Sequence, residues 1–180
     1  MGDLQIIFVV ESNSTCKSDW IYIKDTIEQF YQYDRAHVKL SVIYMDGKGK
    51  YSNKEKAIAS QIKTYQNAVK NGASRRSVVI YCFDCDEYDT NQEDLVFLDK
   101  AEQYCAYHDY DFVWFCKDVE QVYLGKKVDK GKKKKEAEAF RCRRIIESIS
   151  ANRLSAEKYR IGTSNIMKVL DKYLERRTDT

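Results

Sequence analysis

Proline is missing from all 180 residues, where average usage of about 5% would place roughly nine. Every turn must therefore be made by Gly, Asn, Asp and Ser, and the chain has only 7 Gly to contribute. Histidine is nearly absent too. His37 and His108 are the 2 imidazoles, neither stands beside a recognisable nucleophile, and Ser-His-Asp chemistry is not expected. Long apolar runs are also lacking, because 33% charged residues interrupt the 43% that are hydrophobic; no membrane span is expected. Met1-Gly2-Asp3 carries no cationic stretch and Ile6 to Val10 is too short for an export signal, while Ile6 stands where myristoylation needs Ser or Thr. These features point to a cytoplasmic chain, in which Asn13-Ser14-Thr15 is a glycosylation sequon in form only.

The six cysteines, Cys16, Cys82, Cys85, Cys105, Cys116 and Cys142, lie mostly in apolar stretches, as expected of a reducing compartment. Cys82 and Cys85 form a lone Cys-x-x-Cys with no second pair at zinc spacing, so they read as structural thiols. The net charge of +3 hides an asymmetry. Residues 1–125 hold 14 Lys+Arg against 20 Asp+Glu, and residues 126–180 hold 17 against 8. An acidic first two-thirds with a basic last third suggests an anionic partner. The length suits one domain spanning residues 1–180.

Leu4 to Val10 is an almost unbroken apolar run, the pattern of a parallel strand buried on both faces. From Ser18, a plausible N-cap, Trp20, Ile23, Ile27 and Phe30 recur at helical spacing. Val38 to Met45 gives a second strand. Ile58, Ile62, Tyr65 and Val69 mark a helix that Asn71-Gly72 should end, and Ser77 to Phe83 gives a third strand. Thr90 and Glu93 predict a capping box, with Leu95, Leu98, Ala101 and Cys105 as the helix's inner face, and Phe112 to Cys116 predicts a fourth strand. Strands alternating with helices predict an α/β fold: a Rossmann-like, open, mainly parallel four-stranded sheet with helices on both faces. Its core covers about residues 4–124, followed by a mobile basic loop at 125–135 and helices within 136–177. One of these carries Cys142, Ile145, Ile146 and Ile149, and the last Ile166, Val169, Leu170 and Tyr173.

Ligands of open α/β sheets gather beyond the carboxyl ends of the strands, where Glu11, Asp84 and Asp86 fall. In extended geometry Asp84 and Asp86 leave the strand on the same side. If strands one and three are neighbours, three carboxylates could share one hard cation, with Mg²⁺ the natural occupant and Mn²⁺ its substitute. A calcium loop is ruled out, because Asp89 stands where that loop needs Gly and Leu95 where it needs Glu.

Phe8-Val9-Val10-Glu11, followed two strands later by Cys82-Phe83-Asp84-Cys85-Asp86, resembles the Toprim domain of type IA and II topoisomerases, bacterial primases and the OLD-type and RNase M5-type nucleases. Asp118-Val119-Glu120 resembles the late acidic element of small stand-alone RloB-like proteins, which are associated with phage defence and RNA processing. Ser12 stands where Toprim domains commonly have Gly, and Cys116-Lys117 where Asn-Pro is expected in the RloB-like group. The resemblance implies a Mg²⁺-dependent nuclease in which Asp84 and Asp86 hold the ion, Glu11 joins them or moves a proton, and Asp118 or Glu120 binds a second ion. A whole topoisomerase or primase does not fit this length.

The run from Lys126 to Lys135 has seven lysines to one aspartate. Lys126, Lys127, Lys130, Lys132, Lys133, Lys134 and Lys135, with Lys48 and Lys50 of the Gly47-Lys48-Gly49-Lys50 loop, are the candidate contacts to nucleic-acid phosphates, RNA or DNA. Plainer roles stand beside these: strand-end acids that are only solvated, Asp118 and Glu120 favouring a helix dipole, a glycine loop that is merely a turn. The alternative function is a non-enzymatic Rossmann-like module that binds nucleic acid or protein through its basic third.

Overall fold

The computed structural model describes residues 3–68 and 74–178. A parallel four-stranded sheet is built from β1 (Asp3–Val10), β3 (Val38–Tyr44), β4 (Arg75–Asp84) and β5 (Asp111–Phe115), in the order β3-β1-β4-β5. β2 (Tyr31–Gln32) pairs separately with β6 (Glu175–Arg176). The larger helices are α1 (Ser18–Phe30), α2 (Glu55–Asn67), α3 (Gln92–Tyr107) and α5 (Lys133–Cys142), and the shorter ones α4 (Val119–Leu124), α6 (Ala151–Leu154) and α7 (Ile166–Leu170). This is the expected open α/β architecture with added C-terminal helices.

β1 is central because it is apolar throughout. Ile6, Phe8 and Val10 enter one core layer and Ile7 and Val9 the other, all fully buried. The first layer packs the strands against α1, α4, α5 and α7, through Tyr22, Ile23, Tyr123, Phe140 and Leu170. The second packs them against α2 and α3, through Ile58, Leu98, Ala101 and Cys105. Each fully buried large apolar side chain contributes about 1.5–3 kcal/mol. Pairing runs from Leu4 opposite Val38 to Val10 opposite Tyr44 on one side of β1, and from Asp3 opposite Arg75 to Val10 opposite Cys82 on the other. The chain thus leaves β1 for one neighbour and later returns to the other, which makes the carboxyl ends of β1 and β4 a topological switch point.

Several local expectations are corrected. Asn91, not Thr90, caps α3: its extended backbone lets Oδ1 accept the Glu93 N–H at 2.8 Å, while Thr90 closes the preceding turn onto the Glu87 carbonyl. The lysine run is not a mobile loop. Lys130–Lys132 forms a 3₁₀ turn and Lys133–Lys135 the first turn of α5, because Ala137 and Phe140 seat that helix in the core. α5 ends at Cys142, which is exposed; Arg144 then takes a left-handed conformation (φ 52°) and Ile145–Ser148 is a 3₁₀ turn, so Ile146 and Ile149 are buried without sharing a helix with Cys142. Val69 and the Asn71-Gly72 terminator lie outside the described residues. Among the described residues no helix is long and apolar enough to cross a membrane.

Candidate active site

Where β1 ends, Glu11 accepts the backbone N–H of Asp84 at 2.9 Å. Asp84, the last residue of β4, in turn accepts the Val119 N–H at 2.9 Å, so both acids are fixed by main-chain donors of neighbouring segments. They line a cleft of about 810 Å³ together with Asp19, Asp86, Asp118, Lys127, Lys130 and Lys133. The cleft lies at the switch point, and β1 and β4 are adjacent, as the acids' convergence requires.

Asp86 departs from the geometry expected of it. The strand ends at Asp84 and Asp86 is left-handed (φ 48°), so the two side chains do not leave an extended strand on one side. Asp86 is instead paired with Lys48, whose ammonium also bonds Asp94 at 2.7 Å and lies over the Phe97 ring. Burial pulls the Lys48 ammonium down, but its bonds to Asp86 and Asp94 outweigh it and hold it above the ordinary lysine range. Lys48 is therefore occupied. Lys50 pairs with Asp46 at 2.8 Å, and the Gly47 N–H donates to the Glu11 carbonyl, so the glycine loop here is a turn that buttresses Glu11.

Asp118 caps α4, accepting the Gln121 N–H at 2.7 Å. Glu120 is fully buried: Oε2 accepts the Lys133 ammonium at 2.8 Å, and Oε1 has no hydrogen-bond partner. The basic residues divide accordingly. Lys133 turns inward, Lys127 and Lys130 edge the cleft, Lys126 pairs with Glu136 and Lys132 with Asp129, and Lys134 and Lys135 are exposed.

Asp19 was not anticipated from the sequence. It is buried at the start of α1, accepting the Ser12 N–H at 2.8 Å and the Ser18 hydroxyl at 3.0 Å. The signal was available, since a helix that follows a strand begins at the same carboxyl edge where the strand ends.

The electrostatics are those of an acidic pocket short of cations. Burial pushes the Glu11 carboxyl up to about 8, with the Asp84 N–H opposing and the Asp19 and Asp86 carboxylates adding to the rise. Burial likewise raises Asp84 far above the carboxylate range, helped by Glu11 and Asp19 and opposed by Lys133. Burial raises Glu120 against the pull of Lys133. Lys133 itself, though burial works against its charge, is held above the ordinary lysine range by Asp84 and Glu120.

Among the described residues, no three His, Cys, Asp or Glu side chains converge into a ready-made metal cage. Mg²⁺ does not need one, because it keeps several waters and takes one or two carboxylates plus substrate phosphate. Glu11 and Asp84 offer hard oxygen donors, repel each other, and form no ion pair among the described residues; this donor set fits such an ion. No family model, no curated protein and no solved structure matches the chain.

Proposed function

We propose that the protein is a metal-dependent phosphodiesterase, a stand-alone Toprim-like nuclease acting on RNA or DNA in the cytoplasm. The observation that carries this reading is the pair Glu11 and Asp84: two half-buried acids at the switch point, Glu11 accepting the Asp84 main-chain N–H and neither carboxylate ion-paired among the described residues, in a cleft edged by Lys127 and Lys130. Six free cysteines, four of them buried, support a reducing compartment.

Mg²⁺ or Mn²⁺, when bound, would polarise the scissile phosphate. Asp84 is the principal holder, and Glu11 either completes the donor set or handles the proton. A carboxyl raised to about 8 exchanges protons near neutrality, as a general acid or base must. In hydrolysis, water oxygen bonds to phosphorus, the P–O bond to the leaving sugar breaks, and the water's proton passes through such a group to the departing oxygen. Lys127 and Lys130 hold the flanking phosphates as point charges. Asp86 contributes once a ligand draws Lys48 aside.

Cleavage of labelled single- and double-stranded RNA and DNA, with and without Mg²⁺ or Mn²⁺, tests this reading. Ion-dependent cleavage that falls about 100-fold or more in Asp84→Asn or Glu11→Gln is expected. A second reading, a non-enzymatic nucleic-acid-binding module, is favoured by one fact: Asp86 and Asp118 each have a structural partner already. Nucleic-acid binding with no saturable divalent site selects it.

A further inference from the structure

α5 walls a second depression besides the acidic cleft, a groove of about 380 Å³. Lys133 faces the cleft from the first turn of the helix, while Ala139 and Arg143 face the groove from its far end. The segment that follows α4 is shared in the same way, since Leu124 to Lys126 line the groove and Lys127 to Lys130 the cleft. At about 1.5 Å per residue, Arg143 stands about 15 Å along α5 from Lys133.

The groove has an apolar floor and a basic rim. Phe140 and Ile149 are buried in its floor, and Leu124 and Ile145 are half-buried there. Lys126, Arg143 and Arg153 line it against one carboxylate, Glu136, which Lys126 already pairs at 2.9 Å. Neither arginine has an ion pair among the described residues, and Arg143 is exposed. Arg153 is half-buried and held in place: its Nε donates to the Gly162 carbonyl at 2.8 Å. Gly162 is left-handed (φ 75°), and a Cβ there would stand 3.3 Å from Arg153 Nη2. A carbonyl orients the guanidinium without neutralising it, so Arg153 is a pre-set fork whose side-chain freedom is already lost.

We propose that this groove is a subsite for the single-stranded continuation of the nucleic acid held in the cleft, with an unstacked base against Leu124 and Ile145 and flanking phosphates on Arg143 and Arg153. The inference rests on the reading of the cleft as a nucleic-acid site. Unpaired cations select an anion, and guanidinium forks match phosphate oxygens bidentately where lysines act as point charges. The apolar floor selects a strand whose bases are free to turn outward, because duplex bases are already stacked on one another. Lysines then steer the strand at the cleft, and arginines hold it beyond.

The test is binding of a fluorescein-labelled single strand of about 10 nucleotides, and of a blunt duplex of the same sequence, to the full chain in chelator, so that no metal centre is involved. Arg143→Gln should weaken the single strand about fivefold or more and leave the duplex within about twofold. In the wild-type protein, a photoreactive thio-base carried along the single strand should cross-link to residues 139–149, a readout that needs no variant to fold. Single-strand affinity unchanged in Arg143→Gln, an equal loss for the duplex, or cross-links confined to residues 127–135 overturns the inference and leaves the cleft as the binding site. Poly-glutamate that binds as tightly as the single strand, with the same dependence on Arg143, makes the groove a dock for an acidic protein segment and overturns it too. No binding of either nucleic-acid probe by the wild type overturns the nucleic-acid reading itself.

Discussion

The Glu11 carboxylate accepts the main-chain N–H of Asp84 at 2.9 Å, so one acid of the cleft holds the backbone of the other. Asp84 passes the constraint on by accepting the Val119 N–H, which anchors the start of α4. The charge state of Glu11 and the position of Asp84 are therefore linked through the ends of two adjacent strands.

Glu11 gives the folded protein a pH dependence of definite sign. Its folded value, about 8, lies above the ordinary 4.5, so the folded state holds the proton more tightly. The stability this contributes is complete below the unfolded value and is lost as pH rises through the folded one. In metal-free buffer the melting temperature should fall between about pH 4.5 and pH 8, and Glu11→Gln should flatten that slope. Thermal melts in chelator across this range, unchanged by Glu11→Gln, would assign the dependence elsewhere.

Asp84→Asn should separate folding from metal binding. The amide oxygen can still accept the Val119 N–H while one of several mutually repelling charges disappears. Metal-free stability should hold or rise slightly. Mn²⁺ affinity should weaken about tenfold or more, equivalent to about 1.4 kcal/mol, as read by calorimetry.

Lys132, Lys134 and Lys135 are exposed, whereas Lys133 is not available to an external phosphate in the same way. Replacing these three with Gln and keeping Lys133 should lower the slope of log K against log salt by up to about 2.7 for duplex DNA, at about 0.9 per phosphate contact. Turnover at saturating substrate should stay the same. Binding measured at several salt concentrations with an unchanged slope would remove this run from the interface.

Tyr31→Phe tests how the C-terminal segment is fastened. The buried Tyr31 hydroxyl shares its proton between the Met167 carbonyl at 3.0 Å and the Asp171 carboxylate at 2.8 Å, joining the end of α1 to the α7 region. Its removal should cost about 0.5–1.5 kcal/mol in urea unfolding, the net worth of an ordinary hydrogen bond, because the Met167 carbonyl keeps the Asp171 N–H and the Asp171 carboxylate keeps the Arg176 guanidinium.

Much of the fold was legible in the order of residues. Runs such as Leu4 to Val10 are too short and too continuously apolar for a surface element, and strand-helix alternation leaves few topologies open. Glu11 and Asp84 were legible for the same reason: a polar residue that ends a buried strand must lie at the sheet's edge. Chain-local periodicity also placed α1, although Lys17 and not Ser18 is its N-cap, and of the expected inner face of α3 Leu98, Ala101 and Cys105 are buried while Leu95 is only partly so.

What the sequence could not decide was which charge meets which. Asp86 resembles Asp84 in sequence, yet a left-handed turn hands it to Lys48, a residue 38 positions earlier. Lys133 stands among solvated lysines of identical chemistry, and only the burial of Ala137 and Phe140 rotates it inward to Glu120. Asp19 becomes part of the cleft because α1 starts at the edge where β1 stops. Composition and period act over a few residues and determine the elements. Pairing of these charges depends on segments that meet only after the sheet has ordered and the helices have packed, and so it was decided by the tertiary structure alone.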